Sequence, residues 1–150
     1  MSNKKLLFFS LFKIESIDDQ GIYPDLLGQF SLNNFDIYIL SPSERGDKIT
    51  KRIIKKDNVT IIQVKSLKTQ KTNKLEKLLS SLSLEFLFLR SYRKELNNIE
   101  FDVVLFPTPT IFVNNFLNKI KLSKDGFKYL LLKDIFPQNA IDLNFMKSNS

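Results

Sequence analysis

Leu6-Leu7-Phe8-Phe9-Ser10 and, far along the chain, Phe101-Asp102-Val103-Val104-Leu105-Phe106 decide the fold class. Leu6–Ser10 is a compact apolar run without polar alternation, as a strand covered on both faces requires. Strands of this kind belong to parallel sheets, and parallel neighbours need crossover segments between them. Moving outward, such segments are present. Tyr23, Leu26, Leu27 and Phe30 fall at helical spacing, with Pro24 tolerated in the first turn. Phe35 to Leu40 is a second strand, closed by Ser41-Pro42. Residues Ser43 to Asp57 are polar and charged and are expected to form a mobile connection. Val59 to Val64 is a short β-branched strand. Asn73 to Leu96 reads as a long helix with a stripe through Leu75, Leu78, Leu79, Leu82, Phe86 and Leu89. Its second half, LSLEFLFL, is apolar nearly all round, so burial or a partner surface is expected for it. Pro107-Thr108-Pro109-Thr110 turns the Phe101 strand into a helix near Ile111–Ile120. Asp125-Gly126 is a turn, and Phe127 to Leu132 is a last buried strand. A turn around Pro137 and a helix-like run, Ala140 to Met146, follow. This alternation predicts an α/β fold: a Rossmann-like parallel sheet with helices on both faces and right-handed crossovers.

At 150 residues the chain fits one domain with a sizeable core. It has no Cys, which excludes disulfides and thiolate chemistry, and no His, which removes the commonest general base and metal ligand. No metal site is expected. Acid–base work would fall to Asp, Glu, Lys or Tyr. The LLFFSLF start is followed by Lys13, Glu15, Asp18 and Asp19 where a signal peptide would carry small residues, so a first strand is the better reading. No stretch reaches the ~18–20 apolar residues that span a bilayer.

The net charge of +7 is localised. Nine basic residues lie between Lys51 and Lys77, against Asp57 and Glu76 alone, which equals the whole excess. Lys51, Arg52, Lys55, Lys56, Lys68 and Lys71 form a candidate patch for an anionic membrane or another anionic partner. A solvated face in a lysine-rich chain is the competing reading.

No GxGxxG and no GxxxxGK[ST] are present, and no Ser–His or Cys–His triad is possible. What remains is a set of loops that all open at the carboxyl edge of a parallel sheet, where open α/β sheets bind ligands. They carry hydroxyls (Ser10, Thr108, Thr110), amides (Gln138, Asn139) and charges (Asp18, Asp19, Lys133, Asp134). Such a set suits a polyol such as a sugar, which needs many directional hydrogen bonds. Each residue also has a local role open to it: Thr110 as a helix N-cap, Asp134 as a partner of Lys133.

Several of these segments resemble the N-terminal half of a GT-B glycosyltransferase, close to glycosyltransferase family 4 and to enzymes of bacterial capsule, O-antigen or exopolysaccharide synthesis. The segments are LLFFSLF, IYPDLLGQF, FDIYILSPSER, FDVVLFPTPTIF and, the most specific, YLLLKDIFPQNAIDL, which is similar to that family's (K/R)D-hydrophobic-(W/F)-P-(E/Q) turn. The resemblance covers essentially the whole chain. It implies that residues 1–150 form the acceptor-side domain and that the donor-binding domain is not encoded in them. It places Lys133–Asn139 on the cleft, with Asp134 as the candidate catalytic residue. Ser10, Asp19, Gly21, Thr108, Thr110, Lys133, Gln138 and Asn139 are the implied substrate contacts, Ser10 and the Asp18–Gly21 loop near the donor phosphates. That loop has one Gly and two Asp where relatives are glycine-rich, and two carboxylates repel a diphosphate. No cofactor is implied beyond the nucleotide-sugar donor of a complete enzyme. The implied partners are that donor, a saccharide or lipid-linked acceptor, and a second polypeptide supplying the donor domain. The implied location is the cytoplasm or the inner face of the plasma membrane. The chain alone is expected to be inactive. The alternative is a non-enzymatic basic α/β module on an anionic membrane or nucleic acid. The absence of Phe and Tyr between Lys51 and Lys77 argues against base stacking.

Overall fold

The computed structural model describes residues 3–43, 51–65, 74–107 and 114–132, with the backbone alone at 51–52 and 74–83. The described strands are β1 (Lys4–Phe9), β2 (Phe35–Ser43), β3 (Lys51–Lys56), β4 (Val59–Lys65), β5 (Phe101–Pro107) and β6 (Leu122–Leu131). The described helices are α1 (Ile22–Leu32), α2 (Lys74–Glu95) and α3 (Asn114–Lys119). The strands form one sheet ordered β3-β4-β2-β1-β5-β6. All neighbours pair in parallel except β3 and β4, which pair antiparallel. The chain is an α/β protein with a Rossmann-like, parallel-dominated sheet.

The first strand bears out its sequence. Successive side chains point to opposite faces, and Leu6, Leu7, Phe8 and Phe9 are all fully buried. Leu7 and Phe9 join α2 and α3 in one core layer, through Phe88, Tyr92, Leu96, Phe116 and Leu117. The rings of Phe9 and Phe116 meet edge to face at 5.5 Å, and Phe9 also packs on Phe88 at 6.1 Å. Leu6 and Phe8 belong to the opposite layer with Leu27 of α1, Ile37, Ile39, Ile61 and Ile14. The side chains of α2 divide by face: Phe88 and Tyr92 are buried, while Phe86 is 63% exposed. The second half of this helix is therefore covered on one side and not all round.

Four expectations are corrected. Part of the predicted Ser43–Asp57 connection is strand: Lys51–Lys56 closes an antiparallel hairpin on β4. Its turn uses Asp57 at φ 49°, a left-handed conformation that Asp tolerates. Ser41-Pro42 does not end β2, which runs to Ser43. The β1 ladder ends at Leu40, so Pro42 pairs only with Val64 of β4. Proline is admitted in a strand at such a local edge.

Asp125-Gly126 lies within β6, inside an irregularity where Phe101 pairs with Leu122 and Val103 with Phe127. A Cβ on Gly126 would meet the Phe101 carbonyl oxygen at 2.5 Å, which explains the glycine there. Finally, the last strand is not buried. Phe127, Tyr129, Leu130 and Leu132 are 41–61% exposed, and β6 is the outermost of the described strands, beside β5.

Candidate functional site

The parallel strands β1, β2, β4, β5 and β6 end together at one edge of the sheet, and polar side chains gather there. Ser10 follows β1 and is fully buried. Its N–H donates to the Leu40 carbonyl at 2.8 Å, and its Oγ accepts the Phe12 N–H at 3.0 Å. The chain then turns back over the edge, and the Ile14 carbonyl becomes a shared acceptor. Gln63 Nε2 donates to it at 2.7 Å and Ser41 Oγ at 3.4 Å. Ser41 and Gln63 are register partners on β2 and β4. Two positions on, Ser43 is buried and its Oγ has no hydrogen-bond partner. A buried hydroxyl without a partner is costly and uncommon. Ser10, Ser41, Ser43 and Gln63 thus line the carboxyl ends of β1, β2 and β4. Among these only Ser10 was singled out from sequence. Gln63 stood in plain view as the polar residue within Val59-Thr60-Ile61-Ile62-Gln63-Val64, where every face of the strand is buried.

The rest of the first loop is ordered by its own side chains. Ser16 donates its N–H to the Asp19 carboxylate at 3.1 Å and its hydroxyl to Asp18 at 2.9 Å. Asp18 also accepts from Lys56 Nζ at 2.6 Å. That contact draws Asp18 to the hairpin end of β3, where Lys56 lies opposite Val59 at the amino end of β4. The Lys56 ammonium, and next the Ser16 hydroxyl, hold the Asp18 carboxyl below the usual carboxylate range. Asp18 raises the Lys56 ammonium in return. Both groups are well exposed, so the pair is weak. Gly21 caps α1 at φ 152°, a backbone setting that favours glycine, and its carbonyl accepts the Asp25 N–H at 2.9 Å.

Of the sequence-derived site residues, the structure brings Ser10 into the carboxyl-edge cluster and Asp19 into the loop cap. Gly21 stands at the start of α1. Lys55 and Lys56 are exposed on the outer strand β3, and Lys51 and Arg52 belong to the same strand. Thr108, Thr110, Lys133, Asp134, Gln138, Asn139, Lys68 and Lys71 lie outside the described residues, as does the Ala140–Met146 run. Pro107 ends β5 at the same edge, paired with Leu131. Among the described residues no group of three acidic, His or Cys side chains is placed to hold a metal ion. No described helix is long and apolar enough to cross a membrane.

At the opposite, amino end of the sheet the polar contacts are structural. Asp102 accepts the Lys5 N–H at 2.7 Å and the Ser123 hydroxyl at 2.7 Å, tying β1, β5 and β6 together. These two donors, the Lys5 N–H first, lower its carboxyl below the usual value. Asn58 joins the β3–β4 turn to the C-terminal end of α1, donating to the Ser31 and Phe35 carbonyls at 3.0 and 2.7 Å and accepting the Ser31 hydroxyl at 2.7 Å. At the carboxyl edge Ser10, Ser41 and Gln63 are likewise buried and bonded to the backbone, and Ser43 Oγ is the buried side-chain oxygen left without a partner among the described residues.

No family model matches the chain, and no curated protein matches it in sequence. Among solved structures, it is similar to a sucrose-phosphate synthase of Thermosynechococcus elongatus, with a TM-score of 0.53 at 4% identity. The match covers 80% of this chain and 31% of that one, so the chain corresponds to about a third of that protein's length. The likeness is one of fold: a Rossmann-like α/β layer.

Proposed function

We propose that this chain is the acceptor-side half of a glycosyltransferase of bacterial surface polysaccharide synthesis, in the manner of glycosyltransferase family 4. The substrates would be a nucleotide-sugar and a saccharide or lipid-linked acceptor. The observation that supports it best is the polar carboxyl edge, with Ser10, Ser41, Ser43 and Gln63 at the ends of β1, β2 and β4, on a fold similar to about a third of a sugar-transferring enzyme. Lys133, Asp134, Gln138 and Asn139 follow β6, and Thr108 and Thr110 follow β5, so chain connectivity starts both groups from the same edge. In this reading Asp134 is the acid–base candidate and the amides and hydroxyls orient the acceptor. Stabilisation of the leaving diphosphate needs oriented donors and cations, and in this reading a second domain or polypeptide supplies them. The purified chain with a panel of radiolabelled nucleotide-sugars and alkyl glycosides is expected to transfer no sugar. Transfer by these 150 residues alone would overturn the half-enzyme reading.

The basic outer strand supports a peripheral membrane position for the same protein. Lys55 and Lys56 are exposed there, with Lys51 and Arg52 on the same strand and Lys68 and Lys71 downstream. Charge reversal at Lys51, Lys55, Lys68 and Lys71 is expected to abolish co-flotation with phosphatidylserine vesicles and to leave neutral vesicles unbound as before. The non-enzymatic alternative rests on the same lysines. A gel shift with RNA or DNA that weakens steeply with salt, together with no saccharide binding, would favour it.

A further inference from the structure

Helix α2 has a buried row and an exposed one. Phe88 and Tyr92 face the sheet and are buried in its core. Phe86 lies on the other side of the helix and is 63% exposed, although phenylalanine is among the residue types most often buried. Phe86, Leu89, Arg90, Arg93 and Lys94 line an open hollow of about 320 Å³ on that outer side. Counted from Phe86, the first four stand at i, i+3, i+4 and i+7. Four residues so spaced are the hole that takes one side chain of a second helix packed across the first. The sequence carries the same seam toward the amino end, where Leu75, Leu79 and Leu82 precede Phe86 and Leu89 at alternating steps of four and three. The helix backbone is continuous over these positions, from Lys74 to Glu95. Steps of four and three are the heptad pattern of paired helices, a narrower seam than the broad apolar face of a helix lying in a membrane surface.

The charge around the hollow has one sign. Arg90, Arg93 and Lys94 are all exposed. Of the carboxylates in the same half of the helix, Glu85 accepts the Phe116 N–H at 3.0 Å, and Glu95 is partly buried. A second copy of the chain would bring the same three cations to the contact, on a molecule of net charge +7. The complementary partner is acidic. We propose that the outer face of α2 is the docking site of an acidic amphipathic helix of another protein. An apolar side chain of that helix seats in the hollow against Phe86 and Leu89, and its carboxylates meet Arg90, Arg93 and Lys94 at the rim. Apolar anchors on one helical seam supply such recognition, and arginine pairs with carboxylates through two parallel hydrogen bonds. The proposal goes beyond the sugar-transfer reading and does not need it.

The probe is a fluorescein-labelled four-heptad peptide with leucine at both seam positions and glutamate at the flanking ones, which keep it from pairing with itself. Titration with the full chain, followed by fluorescence anisotropy, is expected to show saturable binding. Phe86→Ser should weaken it by about tenfold or more, and so, separately, should Arg90→Glu combined with Arg93→Glu. All three side chains are exposed, so the far-ultraviolet circular dichroism and the urea midpoint should not move. Lys128→Glu, on β6, should leave the affinity as it is. Absence of saturable binding would overturn the proposal. So would equal affinity for a scrambled peptide of the same composition, or binding that Phe86→Ser leaves untouched. Dimerisation of the chain that Phe86→Ser abolishes would identify a second copy as the occupant instead. Flotation with phosphatidylserine vesicles, lost in the same α2 variants, would identify a bilayer, and either result overturns the proposal.

Discussion

Along β3, at one edge of the sheet, exposed lysines at 55 and 56 flank a tight hairpin turn, and Lys56 reaches back to the first loop through Asp18. Along β6, at the other edge, Phe127, Tyr129 and Leu130 are 41–55% exposed, and the strand is kinked around Gly126. Among the described strands, both are outermost in the sheet. The first carries its own protection, because lysines on an outer strand oppose edge-to-edge pairing. The second carries exposed charge as well, at Lys124, Asp125 and Lys128, but sets it beside the exposed Phe127, Tyr129 and Leu130. The difference separates a lysine-rich outer strand from one that mixes charged and large apolar exposed side chains.

The largest expected effect is at the apolar edge. Gly126→Val would force a side chain against the Phe101 carbonyl and the Ser123 N–H. It is expected to cost about 2–3 kcal/mol in urea unfolding, the range of overpacking into backbone that cannot yield. A variant as stable as the parent would show that β6 is not held in the register described. At the basic edge, Asn58→Ala removes three hydrogen bonds that join the β3–β4 turn to α1 and β2. The expected loss is about 2 kcal/mol, because the Ser31 and Phe35 carbonyls are left part-buried without their donor.

Asp102 offers a pH-dependent test. Its carboxyl is lowered in the folded protein by the Lys5 N–H and the Ser123 hydroxyl. A group lowered on folding contributes stability above its unfolded value, about 3.9, and loses it as pH falls through the folded value. Asp102→Asn is therefore expected to cost about 1 kcal/mol at pH 7. The gap between parent and variant should close below about pH 4. A gap that widened in acid would contradict the assignment. Lys56→Ala is the smallest case: its ion pair with Asp18 is exposed at both ends, and no measurable change in the urea midpoint is expected.

The sheet was legible in the sequence where both faces of a strand are buried. Leu6–Phe9 and Val103–Leu105 have apolar residues at every position because α1 lies on one side and α2 with α3 on the other. β3 was not legible, since Lys-Arg-Ile-Ile-Lys-Lys has two apolar residues and an outer strand needs no more. The exposure of β6 was hidden for the converse reason. Phe127–Leu132 reads as a buried strand, and whether a covering element arrives depends on residues far from it. Of the candidate site, Ser10 was found because it ends an obvious strand. Ser41 and Ser43 were passed over because Ser41-Pro42 reads as a terminator, although β2 continues through it. Gln63 was missed because a single amide in a β-branched run carries no motif.

The central claim is that saccharide is received at the carboxyl edge of this sheet. Amide chemical-shift mapping of the isotopically labelled full chain, titrated with octyl glucoside, octyl galactoside and octyl N-acetylglucosaminide below their micellar concentrations, tests it most directly. The account predicts shifts at residues 10–16, 41–43 and 63–65 for at least one glycoside, and none with free nucleoside diphosphates. Shifts confined to the amino edge, around Asn58 and Lys121–Asp125, or saturable binding of the nucleotide alone, would contradict it.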